Sequence, residues 1–346
     1  MSDSVGKTVL ITGASGFLGK HLIEELVGDP EIRVRALVRR GTLFLEQRGV
    51  EVVLGDVCEP EVCLRAVAGV SEIYHVAGLV SRDPDDSSAM YRLHVEGTRA
   101  LMGAASEEES VVRLVIVSTS GTIAVSESPD EISDEAKPYR LKTVSKWPYY
   151  LSKIYQERTA FKLARDLGLN VVIVNPSLLL GPGDERGSST GDVEKLVRGR
   201  MPLIPHGGGV AFVDVRDAAR GCVLAMEVGK SGERYLLSAV NMTVSAFLGR
   251  VARLAGVPAP RSVRGGAGFL KGTGRVVGAL FRKLDYEPPF DEQTLEMAEH
   301  TWYVDASKAE RELGWGCRDS QETLVDTVFD LQRRHGLGQF TGSVNY

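Results

Sequence analysis

The chain has 346 residues and a formal net charge of −5, with a charged fraction of 25% and a hydrophobic fraction of 43%. These values are typical of a soluble globular protein, and the negative charge argues against nucleic acid as a partner. The four cysteines form no Cys-x-x-Cys pair and the six histidines lack a ligand spacing, so we expect reduced thiols and no metal. The polar N-terminus and the lack of ~20 successive apolar residues predict a cytoplasmic protein.

Short apolar runs rich in β-branched residues alternate with helical patterns in the first half of the chain. The predicted strands lie at 9–12, 34–38, 52–54, 73–76, 114–118 and 171–175. Helical patterns lie between them, notably over 88–108 and 148–167. This alternation predicts an α/β fold with a doubly wound parallel sheet of the Rossmann type, which binds ligands at the carboxyl ends of its strands.

The pattern loosens after residue 178. It predicts a strand at 211–215 followed by a helix to about 228, and a short strand at 235–238. It also predicts a helix at 243–255 with Thr243 as its N-cap, and a helix from Asp305 that ends at Gly314. We therefore predict a dinucleotide-binding domain over 1–177, to which 210–238 return. Residues 178–209 and 239–346 would form a smaller, mostly C-terminal α/β domain for the substrate.

The run Thr12-Gly13-Ala14-Ser15-Gly16-Phe17-Leu18-Gly19 lies between the first strand pattern and the first helical pattern. Glycines let the backbone approach a pyrophosphate, and a helix N-terminus offers free N–H groups and the positive end of its dipole. The three glycines are three residues apart, unlike the usual G-x-G-x-x-G spacing. Taken alone, the run could therefore also be an ordinary glycine-rich turn.

Tyr149 and Lys153 lie four residues apart in a predicted helix, and therefore on one face of it. An ammonium beside a phenol lowers the pKa of the phenol, and such a tyrosine is a natural proton donor to a carbonyl. Without the glycine run, an exposed pair on a helix would be the simpler interpretation. The two motifs together predict hydride transfer.

Arg39 follows the second predicted strand, 20 residues after Gly19. An acid at this place would bond the ribose 2′-hydroxyl of NAD, whereas a basic residue accommodates the 2′-phosphate of NADP. Arg39 and its neighbour Arg40 favour NADP(H) and leave NAD possible; a solvated surface pair is the alternative. Asp56, after the third strand, could meet the adenine end of the nucleotide or simply stabilise a turn.

Further motifs occur in chain order beside the glycine run. They are Gly55-Asp56, His75-Val76-Ala77-Gly78, Ser118-Thr119-Ser120-Gly121-Thr122, Tyr149-x-x-x-Lys153, Asn175-Pro176-Ser177, Gly181-Pro182-Gly183-Asp184 and Phe212-Val213-Asp214-Val215-Arg216-Asp217. Over about 7–335 the chain resembles the extended short-chain dehydrogenases/reductases, the NAD-dependent epimerase/dehydratase superfamily. Within it the chain is most similar to the dihydroflavonol-4-reductase-like branch, near hopanoid-associated sugar epimerase-like proteins.

The resemblance implies a catalytic triad of Ser120, Tyr149 and Lys153. Tyr149 would protonate the substrate oxygen, Ser120 would hold that oxygen, and Lys153 would bind the nicotinamide ribose and lower the pKa of Tyr149. Tyr150 lacks the three-residue gap to Lys153. The cofactor contacts that we expect are Gly13, Ser15, Gly16, Phe17, Leu18, Gly19, Arg39, Asp56, Val57, Ala77, Gly78, Ser118, Tyr149, Lys153 and Pro176.

These observations predict an NADP(H)-dependent reductase or dehydrogenase that acts on a ketone or aldehyde. Apolar residues at 257–290 favour a small-molecule substrate of aromatic or lipid-like character over a sugar. The alternative enzyme is a nucleotide-sugar epimerase or dehydratase with bound NAD. The alternative of another class is a non-catalytic NADP-sensing module, which would be expected to lack Tyr149 or Lys153.

His94 stands where the resemblance predicts an asparagine, and it could relay protons or be a satisfied structural histidine. Residues 261–284 carry six basic and no acidic side chains among apolar ones, so they could touch a membrane surface or form an arm over the cleft. The resemblance also implies a homodimer through the helices at 88–108 and 148–167. Its apolar seam would consist of Leu93, Leu101, Leu151 and Ile154.

Overall fold

A computed structural model describes residues 6–263 and 292–337 of the chain. The strands in these residues are β1 (Lys7–Thr12), β2 (Ile32–Val38), β3 (Glu51–Leu54), β4 (Glu72–His75), β5 (Arg113–Val117), β6 (Ile132–Ser133), β7 (Val171–Pro176), β8 (Leu178–Leu180), β9 (Leu203–Pro205), β10 (Gly209–Asp214), β11 (Arg234–Leu237), β12 (Val240–Thr243), β13 (Arg261–Val263) and β14 (Tyr303–Val304). The α-helices are α1 (Phe17–Leu26), α2 (Leu43–Gln47), α3 (Pro60–Val67), α4 (Ser87–Tyr91), α5 (Gly97–Glu107), α6 (Leu141–Val144), α7 (Pro148–Leu167), α8 (Gly191–Val197), α9 (Val215–Val228), α10 (Val244–Ala255), α11 (Glu292–Met297), α12 (Ser307–Leu313) and α13 (Ser320–Arg334).

Seven parallel strands form the main sheet, in the order β11-β7-β5-β4-β1-β2-β3. Six of them are the predicted strands of the first half, and β11 is the strand predicted at 235–238. Side chains alternate along each strand, so Val9 and Ile11 enter the core beneath α1 and α9, while Leu10 enters the core beneath α3 and α5. The predicted Rossmann-type α/β fold is confirmed. Its strand order reverses at β1, where such folds bind ligands.

A smaller part packs beside the main sheet. Its three-stranded sheet has the order β12-β10-β8, and a separate apolar core joins it to α8, α10 and α13. Residues 210–238 divide between the two parts: α9 packs on α1 and β11 extends the main sheet, whereas β10 pairs with β8 and β12. The division into a dinucleotide domain and a substrate domain remains a proposal.

The helix predicted at 88–108 is interrupted in the structure. A π-helical turn, Arg92–Glu96, joins α4 to α5 and carries the buried His94. Such turns shift the helix face, and in proteins they often occur at functional sites. The other helices follow the predictions closely. Helix α7 begins with Pro148 and ends before Gly168, which has a φ of 70°, and Thr243 caps α10 through Ala246 N.

The apolar seam predicted for a homodimer is partly wrong. Leu101 and Ile154 are fully buried within the chain's own cores, so they are not available to a second copy. On the same helices, Tyr91 and Tyr155 remain 43% and 39% exposed and pack edge to face, with ring centroids 6.1 Å apart. The homodimer itself remains a proposal.

Two expectations from the sequence concerned membranes: a basic stretch that could touch a membrane surface, and the lack of a membrane-spanning segment. The basic stretch predicted at 261–284 lies outside the described residues from 264 onward. Within the described part of the chain, none of the helices combines the length and the apolar character that crossing a membrane requires.

Candidate active site

The glycine run forms the turn from β1 to α1, and at two of its positions a larger residue would clash with neighbouring backbone atoms. Gly13 has a φ of 72°, and a Cβ atom on it would lie 2.6 Å from Ala77 N. A Cβ atom on Gly19 would lie 2.3 Å from Gly13 O. Gly16 is the N-cap of α1 and carries no side-chain cap, and the first turn of α1 has no acidic residue. The turn therefore brings backbone N–H groups and a positive helix end to the sheet edge, as a phosphate site requires.

The remaining residues of this run differ in exposure. Ser15, Gly16 and Phe17 are partly exposed at the turn, whereas Leu18 is buried in the core beneath α1. Val57 is likewise buried, against α3 and α5, and Pro176 is buried at the end of β7. Leu18, Val57 and Pro176 could therefore meet a ligand mainly through their backbone.

Arg39 is exposed directly after β2, at the carboxyl edge where the predicted 2′-phosphate contact would lie. Asp56 is engaged in the protein itself. Its carboxylate accepts from Cys58 N at 2.9 Å and pairs with the Arg92 guanidinium at 3.0 Å. Partial burial opposes ionisation, but these hydrogen bonds hold the pKa of Asp56 below its usual value. This geometry matches the turn-stabilising interpretation of Asp56, and a contact with adenine remains a prediction.

Lys153 is buried, so the interpretation of an exposed helix pair is wrong. Its ammonium donates to Val117 O at 3.0 Å, at the end of β5, and to Gln156 Oε1 at 2.8 Å. A Cβ atom on Gly78 would lie 3.6 Å from the Nζ atom, so the lysine head is directly beside the end of β4. Burial lowers the pKa of Lys153 to about 7, although the Glu157 carboxylate opposes this.

Tyr149 lies beside Tyr150, with ring centroids 5.0 Å apart, and its phenol faces the Thr119 side chain. Burial, followed by the neighbouring Tyr150, raises the pKa of Tyr149 above its usual value, and the Thr119 hydrogen bond opposes that shift. The expected lowering of this pKa by Lys153 is therefore wrong for the protein alone. Desolvation of the phenolate is the largest cause of the raised pKa, and the Lys153 ammonium is not among its causes.

Ser120 begins a 3₁₀ turn, Ser120–Thr122, immediately after β5 and is buried. Its two neighbours have occupied hydroxyl groups: Ser118 donates to Glu157, and Thr119 accepts from Gly121 N at 3.3 Å. The Ser120 hydroxyl makes no hydrogen bond to any of the described residues. Of the three candidates in this segment, Ser120 is therefore the one whose hydroxyl is engaged by none of the described residues.

Glu157 supports this segment and was not predicted from the sequence. The carboxylate is fully buried, and its Oε1 atom accepts from Ser118, Thr122 and Asn175. Its Oε2 atom is paired with the Arg234 guanidinium at 3.2 Å. A buried carboxylate is stable only with such partners. The sequence signal for it was its position four residues after Lys153 on α7.

His94 occupies a satisfied structural position. Its Nε2 atom accepts from Leu79 N at 3.1 Å, which leaves Nδ1 protonated and 2.8 Å from Ser152 Oγ. Ser152 in turn donates to Tyr149 O at 2.7 Å. Burial first, and then the charge of Lys153, hold the pKa of His94 well below its usual value. Both ring nitrogens serve the fold, so the geometry favours the structural interpretation over a proton relay.

An aromatic wall stands beside Tyr149 and consists of Trp147, Tyr150 and Trp302. The rings of Tyr150 and Trp302 are tilted by 35°, with centroids 5.0 Å apart, and Trp147 contacts both. Gly121 makes room for this wall, because a Cβ atom on it would lie 2.2 Å from Tyr150 Cε1. Sequence reasoning missed the wall because Trp302 lies about 150 residues beyond Tyr150 in the chain.

An ion pair between Arg82 and Asp192 lies near Tyr150. The Arg82 guanidinium pairs with Asp192 at 2.7 Å and donates to Thr294 Oγ1 at 3.0 Å. It thereby links the segment after β4 to α8 and α11. The charges of Arg82 and Asp192 act in opposite directions on the pKa of Tyr150, while burial raises that pKa to about 12.

The turn at Gly13, at the sheet edge beside the buried Lys153, is typical of a Rossmann-type nucleotide-binding protein. The chain belongs to the NAD dependent epimerase/dehydratase family, which residues 9–238 match. Members of this family bind NAD(P), and the prediction of an NAD(P)-dependent oxidoreductase is confirmed.

Three proteins illustrate the similarity. Sterol demethylase protein B of Methylococcus capsulatus is 31% identical over 336 residues, which cover 94% of this chain and 99% of that protein. Dihydroflavonol 4-reductase of Hordeum vulgare is 28% identical over 255 residues, covering 68% and 72% of the two chains. The crystal structure of gox2253 superposes with a TM-score of 0.81 at 30% identity, covering 96% of this chain and all of that one. The predicted resemblance is therefore confirmed.

Proposed function

We propose that the protein is an NADP(H)-dependent reductase of an aldehyde or ketone, with an apolar, aromatic or lipid-like substrate. The observation that carries the proposal is the juxtaposition of Tyr149 with the aromatic wall and with the segment that bears Ser120. Lys153 is buried one helical turn from Tyr149. This arrangement offers a proton donor, a hydroxyl for the substrate oxygen and an apolar surface within one site.

The residues present fit a dinucleotide. Gly13 and Gly19 leave no room for side chains where the backbone would approach a pyrophosphate, and α1 begins at this point. Lys153 has three donors, of which the protein uses two, so one remains for a ribose hydroxyl. Arg39 would meet the 2′-phosphate. The bound nicotinamide would supply the hydride for reduction.

The side chains of the triad would hold and deliver the proton. Because burial raises the pKa of Tyr149, its phenol is protonated at neutral pH and can donate to a carbonyl oxygen. The Ser120 hydroxyl would donate to the same oxygen and fix its position. The Lys153 ammonium would stabilise the phenolate that Tyr149 becomes after it has given up its proton.

The substrate class follows from the surface beside the triad. Tyr150 and Trp302 offer aromatic faces, and such surfaces gain binding free energy from buried area. A sugar would instead need many paired polar groups. Two relatives carry names that refer to a sterol and to a dihydroflavonol, both of which are ring compounds. These observations support a largely apolar carbonyl compound.

The test is a substrate panel assayed in two ways. The protein would be incubated with NADPH and hydrophobic aldehydes and ketones, and separately with UDP- and GDP-sugars. NADPH consumption and ligand-induced thermal stabilisation would both be measured. We expect consumption with hydrophobic carbonyl compounds, and none in a Lys153→Met control. Stabilisation by nucleotide sugars alone would overturn the proposal and favour an epimerase or dehydratase with bound NAD. Cofactor binding without any turnover would favour an NADP-sensing module.

A further inference from the structure

We propose that Gln156 is a positioning residue for Lys153, and that a buried chain of hydrogen bonds from the glycine turn fixes its amide. The inference rests on the proposed role of Lys153 in hydride transfer. Gln156 is fully buried on α7, three residues beyond the lysine. Its hydrogen bonds within the described residues go to the lysine head and to Thr98, so it would act through Lys153.

The amide of Gln156 can adopt only one orientation. Its Oε1 atom accepts from Lys153 Nζ at 2.8 Å, and its Nε2 atom donates to Thr98 Oγ1 at 3.0 Å. A flipped amide would turn its N–H groups toward the ammonium, where two donors would face each other. It would also turn its oxygen toward a hydroxyl whose single hydrogen is already given to His94 O, at 2.6 Å.

Thr98 is itself saturated, because its oxygen has two further neighbours that donate. One is Gln156, and the other is His75 Nε2 at 3.0 Å. The Nδ1 atom of His75 then accepts from Thr12 Oγ1 at 2.7 Å, and Thr12 accepts from Ala77 N at 3.2 Å. With this assignment, the two threonine hydroxyls and both nitrogens of the His75 ring have hydrogen-bond partners. The network begins at Thr12, directly before Gly13, and ends at the lysine.

The network contains no mobile charge other than Lys153. Burial, followed by the charge of Lys153, lowers the pKa of His75 to about 3, so its imidazole is neutral. His94, on the π-helical turn, is neutral for the same reasons. Among the described residues, Glu157 on α7 is the other charged group that acts on the ammonium, and Tyr149 lies one turn away on the same helix. A substitution at Gln156 leaves all of these titratable side chains in the protein.

The network fixes the direction in which the Lys153 ammonium points. Val117 O and Gln156 Oε1 take two of its three N–H groups and leave one for a ligand. Burial disfavours the charge on Lys153, and the amide oxygen opposes that effect because it accepts a hydrogen bond from the charged form. Removal of this acceptor would favour the neutral amine and free the side chain to swing. A carboxylate in its place would favour the ammonium.

The experiment measures the titration of Lys153 directly in the free protein. Lysine labelled with ¹⁵N would be followed by NMR, with the Lys153 signal assigned by its loss in Lys153→Arg. Gln156→Met should move the titration to lower pH and Gln156→Glu to higher pH, each by about 1 pH unit. NADPH binding to Gln156→Met should weaken about tenfold. Gln332→Met is the matched control, since Gln332 is another buried glutamine and donates to Ala255 O at 3.2 Å.

A merely structural role would give a different result. The melting temperatures would fall, but Lys153 would titrate at the same pH in the parent protein and in both Gln156 variants, and this outcome would overturn the inference. An equal shift in Gln332→Met would overturn it as well. Gln156→Glu keeps the side-chain length and the oxygen that accepts from Lys153, while its second oxygen replaces the N–H group that Thr98 accepts. Its titration decides the question if the Met variant does not fold. Failure of the proposed function would appear separately, as a parent protein that reduces no carbonyl compound while its lysine still titrates.

Discussion

The proposed site has two ends, a phosphate end and a catalytic end, and they are built from different parts of the chain. At the phosphate end, the turn from β1 to α1 is shaped by backbone atoms, since Gly13 packs against Ala77 N and Gly19 against Gly13 O. At the catalytic end, the end of β5 and helix α7 carry side chains that are buried and hydrogen-bonded to one another, among them Lys153, Gln156 and Glu157. Thr12 is the residue at which the two ends meet.

The difference lies in how each end holds charge. The phosphate end presents N–H groups and a helix dipole, which keep their charge distribution at any pH. The catalytic end places Lys153 in surroundings that lower its pKa to about 7 and raises the pKa of Tyr149. Its chemistry therefore depends on proton equilibria, whereas binding of the phosphates depends on space. Substitutions at the phosphate end should therefore reduce stability or cofactor binding, whereas substitutions at the catalytic end should reduce turnover.

Gly13→Ala should produce the largest effect, because it adds a Cβ atom to a residue with a φ of 72° and no space around it. We expect about 3 kcal/mol or more of lost stability, from strain and overpacking together, and loss of dinucleotide binding. Gly49→Ala is the matched control, since Gly49 has a φ of 65° with nothing within 4 Å of a Cβ atom. Its cost should be about 1 kcal/mol. Unfolding curves and NADPH titrations measure both effects, and equal losses in the two variants would contradict the steric account.

Tyr149→Phe tests the catalytic end, where the fold should survive and the chemistry should not. The ring and its contacts remain, but the proton donor is lost, so we expect kcat to fall by ~100-fold or more. Tyr150→Phe should change kcat only a few-fold, because its ring supplies the aromatic wall and its hydroxyl is not needed. Steady-state kinetics and melting temperatures check the pair. The reverse pattern would show that the spacing to Lys153 has been misassigned.

Features with a local cause could be predicted from the sequence. Val9–Thr12 and the other strands of the main sheet follow from short β-branched runs, and α7 follows from Pro148 and Gly168 at its ends. The turn at Gly13 is equally local. Strand β11 was also found, but the pairing of β10 with β8 and β12 was not, because pairing is decided by distant segments.

Features that depend on distant partners were missed or wrong. Gln156 meets Thr98 across 58 residues, and Arg82 meets Asp192 across 110, so neither contact leaves a pattern in the local sequence. The pKa of Tyr149 was predicted in the wrong direction because the sequence shows the neighbouring charge but not the burial. Leu101 was assigned to a dimer seam because periodicity identifies an apolar face without saying what covers it.

Arg39→Asp should give the smallest effect, and it tests the one place where the phosphate end would use a long side chain. Arg39 is exposed directly after β2, so its charge is partly screened by solvent and salt. We expect NADPH binding to weaken about tenfold at low salt, or ~1.4 kcal/mol, with NADH binding little changed. Arg40→Asp makes the same change in net charge at the next exposed position and should weaken NADPH binding less. Titrations of both cofactors check this. Equal affinity of the parent protein for NADPH and NADH would remove the preference for NADP(H), and equal losses in the two variants would mean that only the general field of this edge attracts the cofactor.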